Sequence, residues 1–220
     1  MTPRIVILSA PSGGGKTVVT KELIERHPEL FGYSVSATTR QPRPGEKDGE
    51  SYHFLTLPEF ERRRRDGEFL ESAEYAGELY GTLKAEVDQV LRKGLNVLLD
   101  IEVKGAVQVR RAYPAAVSVF LLPPSAEVLL ERLRGRQTES AEGLARRVEI
   151  AFGELRAASA YDFQVVNADL NRTVEEIVQI VRNPKERPKG PPELRKHIEE
   201  LASGLELEQQ KLHDQLKEPR

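Results

Sequence analysis

Ser12-Gly13-Gly14-Gly15-Lys16-Thr17 stands between two segments of different periodicity, and that setting restricts the fold more than any other feature of the chain. Before it, Ile5-Val6-Ile7-Leu8 is a short continuous apolar run, read as a buried strand. After it, Val18 to His27 carries Val19, Leu23 and Ile24 at helical spacing. Glycines let the backbone curl until successive N–H groups face one point, at the N-terminus of the following helix. The run Ala10, Pro11, Ser12, Gly13, Gly14, Gly15, Lys16, Thr17 is therefore read as a phosphate-binding loop. Lys16 is expected to reach the β- and γ-phosphates of a nucleoside triphosphate, and the Thr17 hydroxyl to ligate Mg²⁺. The strict pattern has glycine where this chain has Ala10, so the match is imperfect. A glycine-rich turn with an exposed lysine is the bland alternative, and the flanking strand and helix speak against it.

Length and composition bound the rest. The 220 residues suffice for one domain with small insertions and a tail. A hydrophobic share of 39% can form a core. The net charge of −2 leaves no basic footprint for a nucleic-acid partner. No apolar run approaches the roughly 20 residues that span a bilayer. The start, Met1-Thr2-Pro3-Arg4 and four apolar residues, is too short for a signal peptide, so a cytoplasmic location is expected. Cysteine is absent, which excludes disulfides and thiolate chemistry. His27, His53, His197 and His213 have no ligand spacing and are read as bystanders.

Strand-like runs recur at Asn96–Ile101, Val117–Leu122 and Phe163–Val166 with helical stretches between them, the rhythm of a parallel sheet covered on both faces. The expected class is α/β, a phosphate-loop type parallel sheet flanked by helices. Two regions break the rhythm. Residues 34–86 are rich in Thr, Tyr, Arg, Gly and Pro, with strand candidates near Tyr52–Thr56 and Phe69–Tyr75 and a helix from Pro58 to Arg65. Residues 125–160 are helical and hold six arginines and no lysine. These are expected to be two insertions on a core of residues 1–33, 87–124 and 161–182. Residues 183–192 read as an extended linker. Residues 193–220 read as an amphipathic helix interrupted by Gly204, packed on the core, paired with a second copy, or frayed.

The chemistry gathers in a few places. Asn96-Val97-Leu98-Leu99-Asp100 is an apolar strand ending in a carboxylate, the pattern that sets an aspartate to hold Mg²⁺ through water. Arg40 and Arg43 flank Pro42 on a stiffened loop, and a guanidinium presents a planar fork of donors to phosphate oxygens. Tyr52 and Tyr80 offer phenols to the same phosphate. Taken singly, each of these residues has an ordinary structural explanation. In order, however, Ser36-Ala-Thr-Thr-Arg40-Gln-Pro-Arg43-Pro-Gly-Glu, Asp48-Gly-Glu-Ser-Tyr52-His-Phe, Gly67-Glu-Phe-Leu-Glu71, Tyr80-Gly-Thr82 and Asp100-Ile-Glu102 resemble guanylate kinase over residues 4 to about 182.

That resemblance implies a core, a GMP-binding subdomain at 34–86, a helical lid at 125–160, and Mg²⁺-dependent transfer of the γ-phosphoryl group of ATP to GMP, with dGMP as a second acceptor. It implies that Arg40, Arg43, Tyr52 and Tyr80 hold the GMP phosphate and that Ser36 and Thr82 meet the guanine O6. Glu71 and Glu102 would face N1–H and the 2-amino group, with Asp100 also at the GMP end. A carboxylate only accepts hydrogen bonds, and guanine presents only donors along that edge, so the assignment is chemically apt. Arg132, Arg136 and Arg147 would reach the ATP and the transferred phosphoryl, with Lys16, Arg43, Arg136 and Arg147 neutralising its charge. Arg134, Arg146 and Arg156, with Glu127, Glu131, Glu139, Glu142, Glu149 and Glu154, read as a salt-bridged helical surface, and Arg62–Arg65 as a solvated helix face. Gln137 stands where a further glycine is usual. Small molecules are the only partners expected; the oligomeric state is open. Two other readings stand beside this one: a phosphate-loop kinase for another mononucleotide or a ribose phosphate, discriminated by Glu71 and Thr82, and a non-catalytic guanylate-kinase-like binding module.

Overall fold

The computed structural model describes residues 2–75, 77–135, 141–184 and 191–217. In chain order the elements are β1 (Ile5–Ser9), α1 (Lys16–Arg26), β2 (Phe31–Tyr33), β3 (Ser36–Thr38), β4 (His53–Phe54), α2 (Leu57–Arg65), β5 (Phe69–Tyr75), β6 (Glu78–Leu83), α3 (Lys84–Arg92), β7 (Asn96–Asp100), α4 (Val103–Ala112), β8 (Val117–Leu122), α5 (Ala126–Arg134), α6 (Ala141–Arg156), β9 (Phe163–Val166), α7 (Leu170–Arg182) and α8 (Pro192–Lys217). The class is α/β. One sheet has five parallel strands in the order β2-β7-β1-β8-β9; a second, mixed sheet has the order β4-β3-β6-β5. The chain divides into two compact units, Met1–Ile7 with Leu23–Val117, and Leu8–Glu22 with Ser118–Arg220.

In the first unit, β2 and β7 run parallel with Phe31 opposite Asn96. Val97, Leu98 and Leu99 are buried, as a continuous apolar run in a sheet covered on both faces should be. Asn96 joins the strand's start to its surroundings: its Nδ2 donates to the Leu30 carbonyl at 2.9 Å, and its Oδ1 accepts the Arg4 N–H at 3.2 Å. The mixed sheet has its own small core of Ala37, Phe60, Phe69 and Leu83, with the Phe60 and Phe69 rings stacked at 4.4 Å. Helix α2 starts one residue before the expected Pro58, because Thr56 is its cap and accepts the Glu59 N–H. Strand β6 was not legible from periodicity. It reads Glu-Leu-Tyr-Gly-Thr-Leu, and Gly81 sits inside it because a Cβ there would come within 2.8 Å of the Phe69 ring.

In the second unit, β8 and β9 pair in parallel from Val119 opposite Phe163 to Leu122 opposite Val166. Ser118 and Asp162 brace the start of that pair, the Ser118 hydroxyl donating to the carboxylate at 2.7 Å. Ser125 caps α5 and Asp169 caps α7, each accepting an N–H three residues on. The tail corrects one expectation. Gly204 does not interrupt the C-terminal helix; α8 runs unbroken from Pro192 to Lys217 and packs on α5 and α6. The glycine serves close approach instead, since a Cβ on it would lie 2.3 Å from that of Ala126. Leu201, Leu205 and Leu212 are buried along that face, and Glu208 pairs with Arg134 at the end of α5. His197 reaches the Pro123 carbonyl at 2.9 Å. Of the expected linker, residues 185–190 lie outside the described residues, as do Arg136 and Gln137.

Candidate functional site

The expected site residues fall in both units. In the second unit, β1 delivers Ala10 and Pro11, both buried, to a tight turn in which the Gly14 N–H donates to the Pro11 carbonyl at 2.7 Å. Gly13 and Gly15 have φ of +82° and +88°, a conformation that side chains with a Cβ rarely adopt. Gly14 is required for a different reason. A Cβ on it would lie 2.8 Å from the Ala10 methyl, so the alanine that replaces the usual glycine takes up the space Gly14 leaves. Lys16 and Thr17 open α1, where main-chain amides are not yet used by the helix.

Two side chains hold this loop from a distance, and neither was anticipated. Glu154, on α6, accepts the Ser12 N–H at 2.8 Å. This corrects its reading as part of a salt-bridged surface: it is 9% exposed, turned inward onto the loop. Asn167, just after β9, donates through Nδ2 to the Gly14 carbonyl at 3.0 Å and accepts the Thr173 hydroxyl at 3.3 Å. Arg132 lies along the loop, its Cβ within 3.6 Å and its Nη1 within 3.8 Å of where Cβ atoms on Gly13 and Gly15 would stand. Arg147 donates to the Leu133 carbonyl near the end of α5. Of the arginines assigned to a structural role, Arg134 is paired with Glu208, and Arg156 covers the Phe152 ring at 4.5 Å.

In the first unit, the loop after β3 gathers Arg40, Tyr52 and Tyr80. Arg40 makes a two-pronged pair with Glu46, at 3.0 and 2.9 Å, and donates to the Gln41 carbonyl at 2.7 Å. Its guanidinium lies 5.4 Å from the Tyr52 ring centre, and Tyr52 meets Tyr80 edge-on at 6.0 Å. The Glu46 carboxylate, with Tyr80 adding to it, holds Arg40 above its ordinary pKa, and Arg40 in turn holds Glu46 below the usual carboxylate range. Glu46 also accepts the Arg43 N–H at 2.7 Å, so one carboxylate fixes both arginines, while the Arg43 side chain stays exposed. Asp48 closes the loop by accepting the Phe54 N–H at 2.8 Å. His53 meets Glu86 of α3 at 3.2 Å beside this cluster, a structural use of a histidine read as a bystander.

A second group lies on the facing strands β5 and β6. Ser36 stands opposite Thr82 in the β3–β6 register, and Thr82 opposite Glu71 in the β5–β6 register. The Thr82 hydroxyl donates to Glu71 Oε1 at 2.7 Å, and Glu71 is 6% exposed. Gly105 on α4 leaves the room that Glu71 occupies: a Cβ there would fall 2.4 Å from Oε2. Asp100 ends β7, half-buried, and Glu102 stands immediately before α4 without capping it through its side chain.

Among the described residues no three His, Asp or Glu side chains converge as a metal cage. Mg²⁺ needs none. It takes hard oxygen ligands, keeps several waters, and is completed by phosphate oxygens. The Thr17 hydroxyl and the Asp100 carboxylate are donors of that kind.

Three comparisons bear on these observations. A family model described as guanylate kinase matches residues 2–184. The guanylate kinase of Trichormus variabilis is 48% identical over 174 residues, 79% of this chain and 87% of that protein. That of Rubrobacter xylanophilus is 48% identical over 179 residues, 81% and 93% of the two chains. A crystal structure of guanylate kinase from Anaplasma phagocytophilum superposes with a TM-score of 0.69 at 32% identity, covering 90% of this chain and 94% of that one.

Proposed function

The chain belongs to the guanylate kinase family of phosphotransferases, and we propose that it transfers the γ-phosphoryl group of ATP to GMP, and to dGMP, in one in-line step with Mg²⁺. The observation that carries the acceptor is the buried Glu71 carboxylate tied to Thr82. A carboxylate shielded from water needs hydrogen-bond donors, and guanine supplies them at N1 and at the 2-amino group. Adenine presents an unprotonated N1 and no amino group there, which would leave the carboxylate facing a lone pair. Sites built on such polar contacts discriminate by roughly 10⁴-fold. Glu102 is assigned to the same edge. Thr82 has one hydroxyl proton, and Glu71 Oε1 holds it, so Ser36 is the better donor to O6.

The GMP phosphate is assigned to Arg40, Arg43, Tyr52 and Tyr80. Glu46 supports this reading by orienting one guanidinium and the neighbouring main chain. The triphosphate is assigned to the loop Ala10–Thr17, with Lys16 on the β- and γ-phosphates and Arg132 along the loop. Arg136 and Arg147 are assigned to charge on the transferred group. Thr17, and Asp100 through water, would hold Mg²⁺, which supplies neutralisation of charge on the phosphate oxygens. The protein has little covalent work to do in such a transfer; it aligns acceptor and donor and excludes water. Direct transfer without a covalent phospho-enzyme is part of this reading, in a chain that has no cysteine to serve as carrier. The reading includes a cytoplasmic location, in keeping with a chain free of cysteine. Among the described residues no helix is long and apolar enough to cross a membrane.

A coupled ADP-release assay tests the reading, with ATP as donor and GMP, dGMP, AMP and UMP in parallel. Turnover with GMP and dGMP is expected to exceed that with AMP and UMP by orders of magnitude. Comparable turnover with AMP, or none with GMP, would overturn the acceptor assignment.

A further inference from the structure

We propose that Glu154 and Asn167 are positioning residues that set the amide cradle of the phosphate loop, each by turning one of its peptide planes; the proposal rests on the ATP-binding role assigned above. In a trans peptide the carbonyl and the following N–H point in opposite directions, and no peptide of the described residues is cis. Asn167 Nδ2 takes the Gly14 carbonyl at 3.0 Å, so the Gly15 N–H in the same plane is turned away from Asn167. Glu154 does the converse one turn earlier. It takes the Ser12 N–H at 2.8 Å, which leaves the Pro11 carbonyl on the opposite side, where it accepts the Gly14 N–H at 2.7 Å. The curl from Pro11 to Gly15 is thus held from outside at both ends.

Three consecutive glycines cannot hold such a shape by themselves, since glycine loses more backbone freedom on ordering than any other residue. A site made of main-chain amides binds well only if that freedom is removed before the ligand arrives. Both supports are suited to this. Glu154 is 9% and Asn167 8% exposed, and the Thr173 hydroxyl orients the Asn167 amide by donating to its Oδ1. Their fit to the loop is close: a Cβ on Gly15 would stand 2.6 Å from Asn167 Nδ2. Charge gives an independent argument for Glu154. A carboxylate near a triphosphate costs Coulomb energy, so a glutamate is a poor filler at this place. Its bond to the Ser12 N–H is a gain that offsets such repulsion.

The test is calorimetry on the full chain with ATP, inorganic tripolyphosphate and GMP, together with KM for ATP and for GMP. Glu154→Ala and Asn167→Ala are expected to weaken ATP roughly three- to tenfold, about the worth of one hydrogen bond. Tripolyphosphate should weaken by the same factor, and GMP should stay unchanged. Glu154→Gln keeps an acceptor oxygen and restores ATP binding. Asn167→Asp sets an acceptor against the Gly14 carbonyl and weakens ATP further than alanine does. A cooperative thermal unfolding transition above the assay temperature reports an intact fold in each variant. Should the alanine variants fail to fold, the near-isosteric pair Glu154→Gln and Asn167→Asp carries the test through its opposite outcomes. Equal ATP affinity in Asn167→Asp and the unmodified chain, or a parallel fall in ATP and GMP affinity, overturns the proposal. An unmodified chain that takes up no ATP would instead overturn the reading beneath it.

Discussion

In the phosphate loop the groups assigned to the ligand are mostly main-chain amides, whereas around Arg40 and Glu71 they are side chains, and the two sites are held in opposite ways. The loop takes its shape from Glu154 and Asn167, which stand 142 and 153 residues beyond their partners. The arginine loop holds itself: Glu46 binds Arg40 six residues back, and Asp48 binds Phe54 six residues on. Thr82 and Glu71 are only 11 residues apart, joined across neighbouring strands. Amides carry no information about which nucleotide is bound, because every residue but proline supplies one. Side chains do. On the proposed function, charge handling falls to the loop and selectivity to the strand pair, and the two functions should therefore separate by mutation.

Lys16→Ala should break the loop's function most severely. Removing one preorganised positive group from phosphoryl transfer is expected to lower kcat about 10²–10³-fold while leaving KM for GMP unchanged. Steady-state kinetics with both substrates varied would check this. A large rise in KM for GMP would mean that the two functions are not separable.

Glu71→Gln addresses the other side, with an expected loss of roughly ten- to hundredfold in GMP affinity, the cost of mismatching a buried acceptor. KM for ATP should hold, and the preference for GMP over AMP should shrink. Isothermal titration with both monophosphates gives the ratio directly. An unaltered ratio would remove Glu71 from base selection.

The same contrast explains what could be read from the chain beforehand. The residues assigned to the acceptor, Arg40, Arg43, Tyr52, Glu71, Tyr80 and Thr82, could be singled out only together, through their resemblance to family motifs, since each alone has an ordinary structural explanation. The strand, loop and helix around Lys16 were legible as a pattern of periodicity. The loop's supports were not. Glu154 sits among five other glutamates in residues 125–160 and has no local mark that separates it from a solvated face. Asn167 is one asparagine after a strand. Only tertiary structure shows that they reach Ser12 and Gly14. Strand β6 was hidden by Gly81 and by its polar residues, which spoil the alternation expected of a strand. Gly105 and Gly204 were opaque for a related reason. A glycine needed for close approach looks in sequence like one that loosens a helix.

Gly204→Ala turns that ambiguity into a test of sign. Helix propensity alone predicts a gain of about 1 kcal/mol. Contact predicts a loss, because the new methyl would lie 2.3 Å from the Cβ of Ala126, which has no flexible end to move aside. We expect the contact to prevail, with a net destabilisation of about 1–3 kcal/mol from overpacking, read by thermal or denaturant unfolding. A raised Tm would show that α8 does not approach α5 so closely. GMP affinity should not change, since Glu71, Thr82 and Arg40 belong to the other unit.

The smallest effect is expected from a carboxylate that resembles Glu46 in chemistry but has no assigned ligand. On α2, Glu59 accepts from Arg62 at 3.0 Å and from Arg63 at 2.9 Å, which holds its pKa down to about 2 from an ordinary 4.5. A carboxyl more acidic in the folded than in the unfolded chain contributes stability while it is ionised in both. That contribution is complete above about pH 4.5 and is lost as the pH falls towards about 2. Glu59→Gln should therefore lower the Tm slightly at neutral pH, and the difference from the unmodified chain should vanish on acidification through that window. The shift will be small because the pair is exposed to solvent. A difference that grows as the pH falls would have the wrong sign and would rule out the pairing. Glu46 provides the counterpart: Arg40 depresses its pKa too, but Arg40 is assigned to the GMP phosphate. Glu46→Gln should therefore weaken GMP binding, and Glu59→Gln should leave it alone. Equal effects on GMP would mean that the arginine run of α2 contributes to anion binding after all, and that the selective side chains extend beyond the loop after β3.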